Sequence, residues 1–381
     1  MDDNRPLVLM TTDNIGGVWH YAVELATALG ARGVHVALAT MGAPLTMRQR
    51  EQIGGVPTAR VYESTYKLEW MTDPWSDVAR AGAWLQRLEQ ALRPDIVHLN
   101  QFAFGALPFN APALVVAHSC VLSWWRAVHG EMAPPSWDHY RAAVREGLAN
   151  AALVAAPTRA MLSTLRTNYG YRGDGLAIAN GRNAARYCVG TKEPVILAAG
   201  RVWDCAKNLT ALEAVAPQLP WPILVAGPNA QPGGSVRQMS GVRGLGELAP
   251  EELAEHYARA AIYALPARYE PFGLSILEAA LSGCALVLGD IPSLREVWGS
   301  TALYVEPDDH GALRECLARL ITDCALRAHL ARAARARAIT YTPERMAKAY
   351  LSAYSSALTA SQRTGVRSSS VFAEESRACA S

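Results

Sequence analysis

Short apolar runs alternate with helix-length amphipathic segments along the first half of the chain. Leu7–Thr12, Val34–Thr40 and Ala113–His118 have the length and composition of buried strands. Apolar residues recur at helical spacing from Val18 to Gly30, and a second helix is predicted from about Ser76 to Leu92. Further strands are predicted at 95–100 and 153–156, and further helices near 137–148 and from about 158. Apolar strands separated by helices indicate a parallel sheet that is covered on both faces.

The same alternation begins again after a polar segment from Gly181 to Glu193. A new strand, Pro194–Gly200, is followed by predicted strands at 222–227, 261–265 and 285–288, with helices from about 207, 250 and 273. The repeat predicts an α/β protein with two Rossmann-like, doubly wound domains that face each other across a cleft. The expected parts are a first domain (1–184), a second domain (185–342), a C-terminal helix (343–360) and a disordered tail (361–381).

Composition fits a globular protein with a sizeable core, since 50% of the 381 residues are hydrophobic and 18% are charged. Lysine and arginine number 36 against 34 acidic residues, so no bulk attraction to nucleic acid is expected. The 7 cysteines are dispersed, which is typical of reduced thiols. No stretch approaches the ~20 apolar residues that a membrane span needs. We therefore expect a cytoplasmic protein.

Two cations follow a predicted strand end in the second half. Arg201 comes directly after Gly200, and Lys207 opens the next predicted helix. A forked guanidinium and a lysine beside a helix N-terminus can bind a diphosphate. For this fragment alone, two solvated surface cations are the alternative interpretation.

A second motif places two acids around a predicted helix start, in the segment Glu270-Pro-Phe-Gly-Leu-Ser-Ile-Leu-Glu278. The proline favours an extended Glu270 whose carboxylate faces the cleft. Glu278 lies about one turn inside the helix, where a carboxylate can accept both hydroxyls of a ribose. The helix start itself can receive a phosphate on its free N–H groups, and its expected donor-binding residues are Phe272, Gly273, Leu274 and Ser275. The alternative is a capping box, with Ser275 as N-cap and Glu278 at the third position.

With these motifs, residues 194–309 resemble the donor domain of the retaining, GT-B-fold glycosyltransferases of family four. Glu270 and Glu278 match the family's Glu-x7-Glu element, and Gly200, Arg201 and Lys207 match its Gly-Arg…Lys pair. Similarity extends over about residues 5–355 and includes Gly16-Gly17, 94–98, the strand-end His118, Asn180-Gly181, 290–297 and 303–308. Asn208, where many members have glycine, and the insert Trp203-Asp204-Cys205 depart from the pattern.

The resemblance implies that the helix 343–360 packs back on the first domain. It also implies a role for each matching residue. Arg201 and Lys207 would neutralise charge on the leaving diphosphate. Glu270 would hold hydroxyls of the donor sugar, Glu278 would bind the ribose, and His118 would contact the sugar near its reacting carbon. Gly16 and Gly17 would allow close backbone approach to the donor. A lone histidine after a strand is otherwise often structural.

The resemblance also implies retention of configuration, with the leaving phosphate oxygen acting as base toward the acceptor hydroxyl. Catalysis would then consist mainly of positioning and leaving-group electrostatics. No Asp-x-Asp metal motif precedes the second domain, so we expect no cofactor and no metal requirement. The expected partners are a nucleotide-sugar donor and a carbohydrate or lipid-linked acceptor.

Two features bear on the acceptor. Trp124 and Trp125 follow His118 and can stack on a sugar or line a lipid-linked acceptor groove, although core packing also explains them. The basic stretch 325–348 can rest on an anionic membrane or form a solvated helix face; its cations are Arg327, Arg332, Arg335, Arg337, Arg345 and Lys348.

Other functions are known for a similar two-domain architecture. Nucleotide-sugar epimerases and hydrolases, or a non-catalytic nucleotide-sugar-binding protein, would bind the same donor without a separate acceptor. A nicotinamide dehydrogenase would need G-x-G-x-x-G after the first strand, and Asn14-Ile-Gly-Gly-Val-Trp19 does not supply it.

Overall fold

The computed structural model describes residues 5–230 and 236–363 of the chain, which divide into two compact units. Unit 1 comprises the described residues up to Leu122, the segment Ala133–Gly181 and the described residues from Pro343 onward. Unit 2 comprises Ser123–Met132 and Arg182–Thr342. The segment Ser123–Met132 therefore groups with the second unit, although it lies within the first half of the sequence. Most of the expected tail, 364–381, lies outside the described residues.

Unit 1 is built on a seven-stranded sheet in which neighbouring strands run parallel in the order β3-β2-β1-β4-β5-β6-β7. Its strands are β1 (Leu7–Asp13), β2 (His35–Met41), β3 (Ala59–Glu63), β4 (Ile96–Leu99), β5 (Ala113–Val116), β6 (Leu153–Ala156) and β7 (Leu176–Ala177). Its helices are α1 (Gly17–Gly30), α2 (Met47–Gly54), α3 (Trp75–Leu92), α5 (Asp138–Asn150), α6 (Arg159–Tyr169) and α13 (Pro343–Arg363), and α4 (Val121–His129) begins in it.

Unit 2 repeats this design with a six-stranded parallel sheet in the order β10-β9-β8-β11-β12-β13. Its strands are β8 (Glu193–Ala199), β9 (Ile223–Ala226), β10 (Arg243–Gly246), β11 (Ala260–Leu265), β12 (Ala285–Gly289) and β13 (Leu303–Val305). Its helices are α7 (Leu209–Val215), α8 (Pro250–Arg259), α9 (Leu274–Leu281), α10 (Pro292–Trp298), α11 (His310–Thr322) and α12 (Cys324–Ala338). The α/β fold class with two Rossmann-like units is confirmed.

The core of unit 1 joins the first and last elements of the described residues. Buried residues of β1 and α1 pack with buried residues of α13, which include Met346, Tyr350 and Tyr354. Each aromatic side chain removes about 150–250 Å² from water, so α13 contributes a substantial part of this core.

Three arginines of the basic stretch 325–348 donate hydrogen bonds to backbone carbonyls within unit 2. Arg327 donates to the carbonyls of Leu320 and Ile321 in the last turn of α11. Arg335 donates to the carbonyl of Leu281 at the end of α9, and Arg337 donates to two carbonyls in the last turn of α10. Cations at helix C-termini satisfy carbonyls that have no partner within the helix. These three arginines are therefore structural.

Among the described residues, no helix has both the length and the apolar character that a membrane span requires.

Candidate active site

Lys207 and Glu270, predicted to act on one ligand, are in contact in unit 2. The Lys207 Nζ lies 2.5 Å from Glu270 Oε2, and both side chains are mostly buried. The backbone carbonyl of Glu270 accepts a hydrogen bond from Ser293 Oγ at 2.6 Å, which fixes the loop that follows β11. The alternative of two solvated surface cations is thus wrong for Lys207, because it forms a buried ion pair with the other motif.

The local structure around Lys207 differs from the predicted helix start. Lys207 ends a 3₁₀ turn, Cys205–Lys207, and α7 begins only at Leu209. Between them Asn208 has a φ of 54°, in the left-handed region that asparagine and glycine tolerate best. Its Nδ2 also donates to the carbonyls of Pro266 and Pro307, at 2.9 and 2.6 Å. Asn208 can therefore replace the glycine that many family members carry.

The insert beside the cations holds Arg201 in place. The guanidinium of Arg201 donates to Asp204 Oδ2 at 2.7 Å and lies 5.2 Å from the centre of the Trp203 ring. Asp204 is buried, and its Oδ1 accepts from the Ala206 N–H at 3.0 Å and from Trp124 Nε1 at 2.9 Å. Burial opposes ionisation of Asp204, but the charges of Arg201 and Lys207 and these hydrogen bonds hold its pKa below the ordinary value.

The contact between Trp124 and Asp204 explains why part of α4 belongs to unit 2. Trp124 also packs edge-on against Trp125, with ring centres 6.3 Å apart, and Trp125 packs on His129 at 4.4 Å. Sequence reasoning treated the tryptophans and the insert separately. Nothing in the spacing of residues so distant in sequence indicates that they meet.

Glu278 has a partner that the sequence analysis did not identify. Its Oε1 lies 2.6 Å from a guanidinium nitrogen of Arg182, and both side chains are about nine-tenths buried. The alternative interpretation as a capping box is wrong, since the N-cap of α9 is Gly273 and not Ser275. Glu278 is therefore held by a cation and does not serve to cap its helix.

The start of α9 keeps its first N–H groups free of side-chain caps. Gly273 has a φ of 91°, a conformation that side chains rarely adopt. The Ser275 hydroxyl lies 2.8 Å from the Tyr263 hydroxyl and 3.3 Å from the Ala199 carbonyl. These contacts join α9, β11 and the end of β8, directly before Gly200. The four predicted residues Arg201, Lys207, Glu270 and Glu278 thus belong to connected elements of unit 2.

The remaining residues at this helix start differ in exposure. Leu274 is partly exposed, whereas the Phe272 side chain is buried and packs edge-on against Tyr341, with ring centres 5.7 Å apart. Only the backbone of Phe272 is therefore available to a ligand. Gly227, which the sequence analysis missed, supports the end of β8: a Cβ at this position would lie 1.9 Å from the Gly200 carbonyl oxygen.

The glycine turn of unit 1 forms the start of α1. Gly16 is the N-cap, with a φ of 88° and no side-chain cap, and Gly17 is the first helical residue. The turn is tied to the segment after β2, because Asn14 Oδ1 accepts from the Ala43 N–H at 3.1 Å. Its geometry leaves the helix N-terminus open to an anion.

His118 follows β5 in unit 1; part of the residue is exposed, although protein atoms surround its imidazole. Its Nε2 lies 2.7 Å from Asn100 Oδ1, and the Tyr21 ring packs edge-on against it, with ring centres 4.4 Å apart. Burial of the imidazole lowers the pKa of His118 to about 3. The ring is therefore neutral in the physiological range of pH.

The comparisons with known proteins agree with this fold. Residues 15–186 match the model of Glycosyltransferase Family 4, and residues 193–323 match the model of Glycosyl transferases group 1. The glycogen synthase of Mycobacterium tuberculosis is 27% identical over 375 residues, which cover 85% of this chain and 86% of that protein.

Solved structures show the same architecture. The sucrose-phosphate synthase of Thermosynechococcus elongatus superposes with a TM-score of 0.79 at 20% identity, over 94% of this chain and 100% of that one. The Anabaena protein HepE in complex with UDP-glucose has a TM-score of 0.72 at 17% identity, over 92% and 99% of the two chains. The chain belongs to the GT-B-fold glycosyltransferases of family 4 and group 1, and it is a glycosyltransferase.

Proposed function

We propose that this glycosyltransferase is a retaining hexosyltransferase that uses a nucleotide-diphosphate sugar and transfers the sugar to an acceptor hydroxyl. The observation that carries the proposal is the Lys207–Glu270 pair. The charges of Lys207 and Arg201 both act on Asp204, and Glu270 lies in the loop that leads to the uncapped start of α9. Two cations and a helix N-terminus suit a diphosphate, and a buried carboxylate suits the hydroxyls of the attached sugar. HepE, which shares the fold, was solved with UDP-glucose, so a uridine diphosphate hexose is the donor to test first.

Arg201 and Lys207 have different tasks at the diphosphate. The Arg201 fork is held by Asp204 and Trp203, so it is already oriented when the donor arrives. Lys207 is paired with Glu270 in the free protein. When the diphosphate binds, it competes for the ammonium group, and the Glu270 carboxylate then accepts hydrogen bonds from sugar hydroxyls.

The Arg182–Glu278 pair suits the nucleoside end of the donor. A carboxylate with one oxygen held by a guanidinium can still accept hydrogen bonds from vicinal ribose hydroxyls with its remaining lone pairs. Arg182 also places an opposite charge beside Glu278 in a buried position, where an unpaired carboxylate would be costly.

We propose a same-face reaction at the anomeric carbon of the donor. The bond between the anomeric carbon and the phosphate oxygen breaks, and its electron pair stays on the diphosphate, where Arg201 and Lys207 stabilise the added charge. The acceptor oxygen forms its bond to the anomeric carbon on the same face and passes its proton to the departing phosphate oxygen. The two cations supply the charge that a divalent ion would otherwise supply, so we propose that transfer needs no metal.

The acceptor side is supported by fewer observations. The Trp124–Trp125–His129 cluster is tied through Asp204 to the Arg201 side chain, which favours a carbohydrate acceptor that can stack on aromatic rings. The dispersed cysteines support a cytoplasmic enzyme.

The test is transfer of labelled hexose from UDP-glucose to a panel of sugar and glycolipid acceptors, with release of the nucleoside diphosphate measured in parallel. We expect Lys207→Ala to slow transfer on the order of 10²-fold and Glu278→Gln to weaken donor binding. Arg259→Ala is the matched control, because Arg259 pairs with Glu193 at the start of β8, the opposite end of that strand from Gly200. Wild-type rates in both site variants would refute the site, and complete loss of transfer in EDTA would refute metal independence.

A further inference from the structure

The amide of Asn100 determines which nitrogen of His118 carries the proton. Asn100 Nδ2 lies 2.6 Å from the carbonyl oxygen of Thr11, which can only accept. The amide group at that end is therefore the NH2, and the opposite end, at 2.7 Å from His118 Nε2, is the carbonyl oxygen. Since Asn100 Oδ1 can only accept, His118 Nε2 must donate.

The Asn100 side chain is held firmly in this orientation. The residue is 9% exposed, and its backbone N–H donates to Thr11 Oγ1 at 2.9 Å. Two bonds to the same residue of β1 fix both the backbone and the amide at the end of β4. Rotation of the amide by 180° would set its NH2 group against a ring nitrogen and its oxygen against the Thr11 carbonyl.

The surroundings of the His118 ring oppose a second proton. Burial lowers the pKa of His118 to about 3, and burial and the nearby His118 lower that of His98 to about 3 as well. The Tyr21 ring covers one side of the His118 imidazole. With one proton on Nε2, the ring has a lone pair on Nδ1 and no net charge.

We propose that Asn100 is a positioning residue that fixes His118 as the Nε2–H tautomer and so makes Nδ1 a hydrogen-bond acceptor for one hydroxyl of the donor sugar. The inference rests on the proposed function, because it is that function which brings a sugar to His118. It adds a statement about substrate class: the donor must present an O–H at this point. A sugar that carries a hydrogen or a carboxylate in place of this hydroxyl offers Nδ1 no O–H to accept. A carboxylate would also place a lone pair of its oxygen against the lone pair of Nδ1.

The first experiment requires no substrate and no variant of Asn100. In ¹⁵N-labelled full-length protein at neutral pH, the His118 ring is identified as the signal that is lost in His118→Gln. We expect a protonated Nε2 and an unprotonated Nδ1. A ring protonated at Nδ1 or at both nitrogens would overturn the proposal, whatever the enzyme transfers.

The second experiment tests whether Asn100 acts through a single hydroxyl of the donor sugar. Transfer is measured with UDP-glucose and with its monodeoxy analogues, using wild type, Asn100→Leu and His118→Gln. In wild type we expect one analogue to lose about tenfold in kcat/KM beyond the others, the value of one neutral hydrogen bond. In both variants this extra loss should disappear. Asn100→Leu no longer fixes Nδ1 as an acceptor, and His118→Gln has no imidazole.

The controls separate positioning from general damage. Asn150→Leu removes an amide that bonds only within the exposed end of α5, and it should keep the wild-type analogue profile. If Asn100→Leu slows all donors equally and keeps the extra loss for one analogue, Asn100 is merely structural and the proposal fails. If wild type transfers no hexose from any donor, the proposed function fails, while the tautomer measurement still decides the first half of the inference.

Discussion

At the scale of single residues, Glu69 shows how a carboxylate can anchor a loop at an energetic cost. Its two oxygens accept from the backbone N–H groups of Phe102 and Ala103, at 3.0 and 2.8 Å, just beyond β4. Burial raises the pKa of Glu69 to about 7, although both hydrogen bonds favour the charged form. The charged carboxylate is thus less stable in the folded protein than in water.

This shift predicts a pH dependence with a definite sign. Because the folded pKa lies above the ordinary value, the folded state binds more protons between about pH 4.5 and 7, and the free energy of unfolding falls as pH rises through that window, by roughly 3 kcal/mol. Glu69→Gln does not titrate, so its stability relative to wild type should increase from pH 5 to pH 8. Urea unfolding at both pH values measures the difference, with the exposed Glu51→Gln as control. A pH-independent difference would contradict the prediction.

The residues that sequence reasoning could find are those that belong to motifs. Glu270 and Glu278 were identified from one local segment. Their partners were harder to predict, because Lys207 and Arg182 lie far away in sequence and only the packing of the β8, β11 and α9 region brings them near. Asn208 was noted as a departure, but its left-handed backbone and its two carbonyl partners depend on contacts that spacing does not encode.

At the scale of elements, the buried strands were predictable and the edge strands were not. The central strands β1, β5, β8 and β11 are apolar runs, and their predicted positions agree with the structure to within a few residues. The missed strands β3, β7, β10 and β13 all lie at sheet edges, where exposed or partly exposed positions interrupt the apolar pattern. Hydrophobic periodicity reports burial, so it loses its signal at an edge.

Helix α12 carries both a bonded and an exposed arginine, so the contribution of each to stability can be compared. Arg337 donates to the carbonyls of Glu296 and Val297, in the last turn of α10, whereas Arg332 is exposed on the same helix. Arg337→Ala leaves these carbonyls without their cation, so we expect a loss of about 1–2 kcal/mol in the free energy of unfolding. Arg332→Ala should change it by less than about 0.5 kcal/mol. Equal effects of the two variants in denaturant titrations would contradict the structural role assigned to Arg337.

At the scale of the whole molecule, the chain leaves unit 1 at Gly181 and returns to it at Pro343. The returning helix α13 was expected from the family resemblance, but its depth in the core was not. His98 Nδ1 of β4 lies 2.7 Å from the Tyr354 hydroxyl, and the Tyr21 hydroxyl of α1 lies 3.2 Å from His98 Nε2. The last described helix is thus bonded to a histidine in a central strand of the first sheet.

This connection predicts that a destabilising substitution in α13 lowers the stability of unit 1 and leaves that of unit 2 unchanged. Tyr354→Ala removes a fully buried aromatic side chain and leaves His98 without one partner, a change that typically costs about 3–5 kcal/mol. Amide hydrogen exchange should therefore accelerate in β1, β4 and β5, while β8, β11 and β12 keep their protection. Ser352→Ala, exposed on the same helix, is the matched control. If exchange rises equally in both sheets, α13 stabilises the molecule as one cooperative unit; if it rises in neither, Tyr354 does not support the unit 1 core.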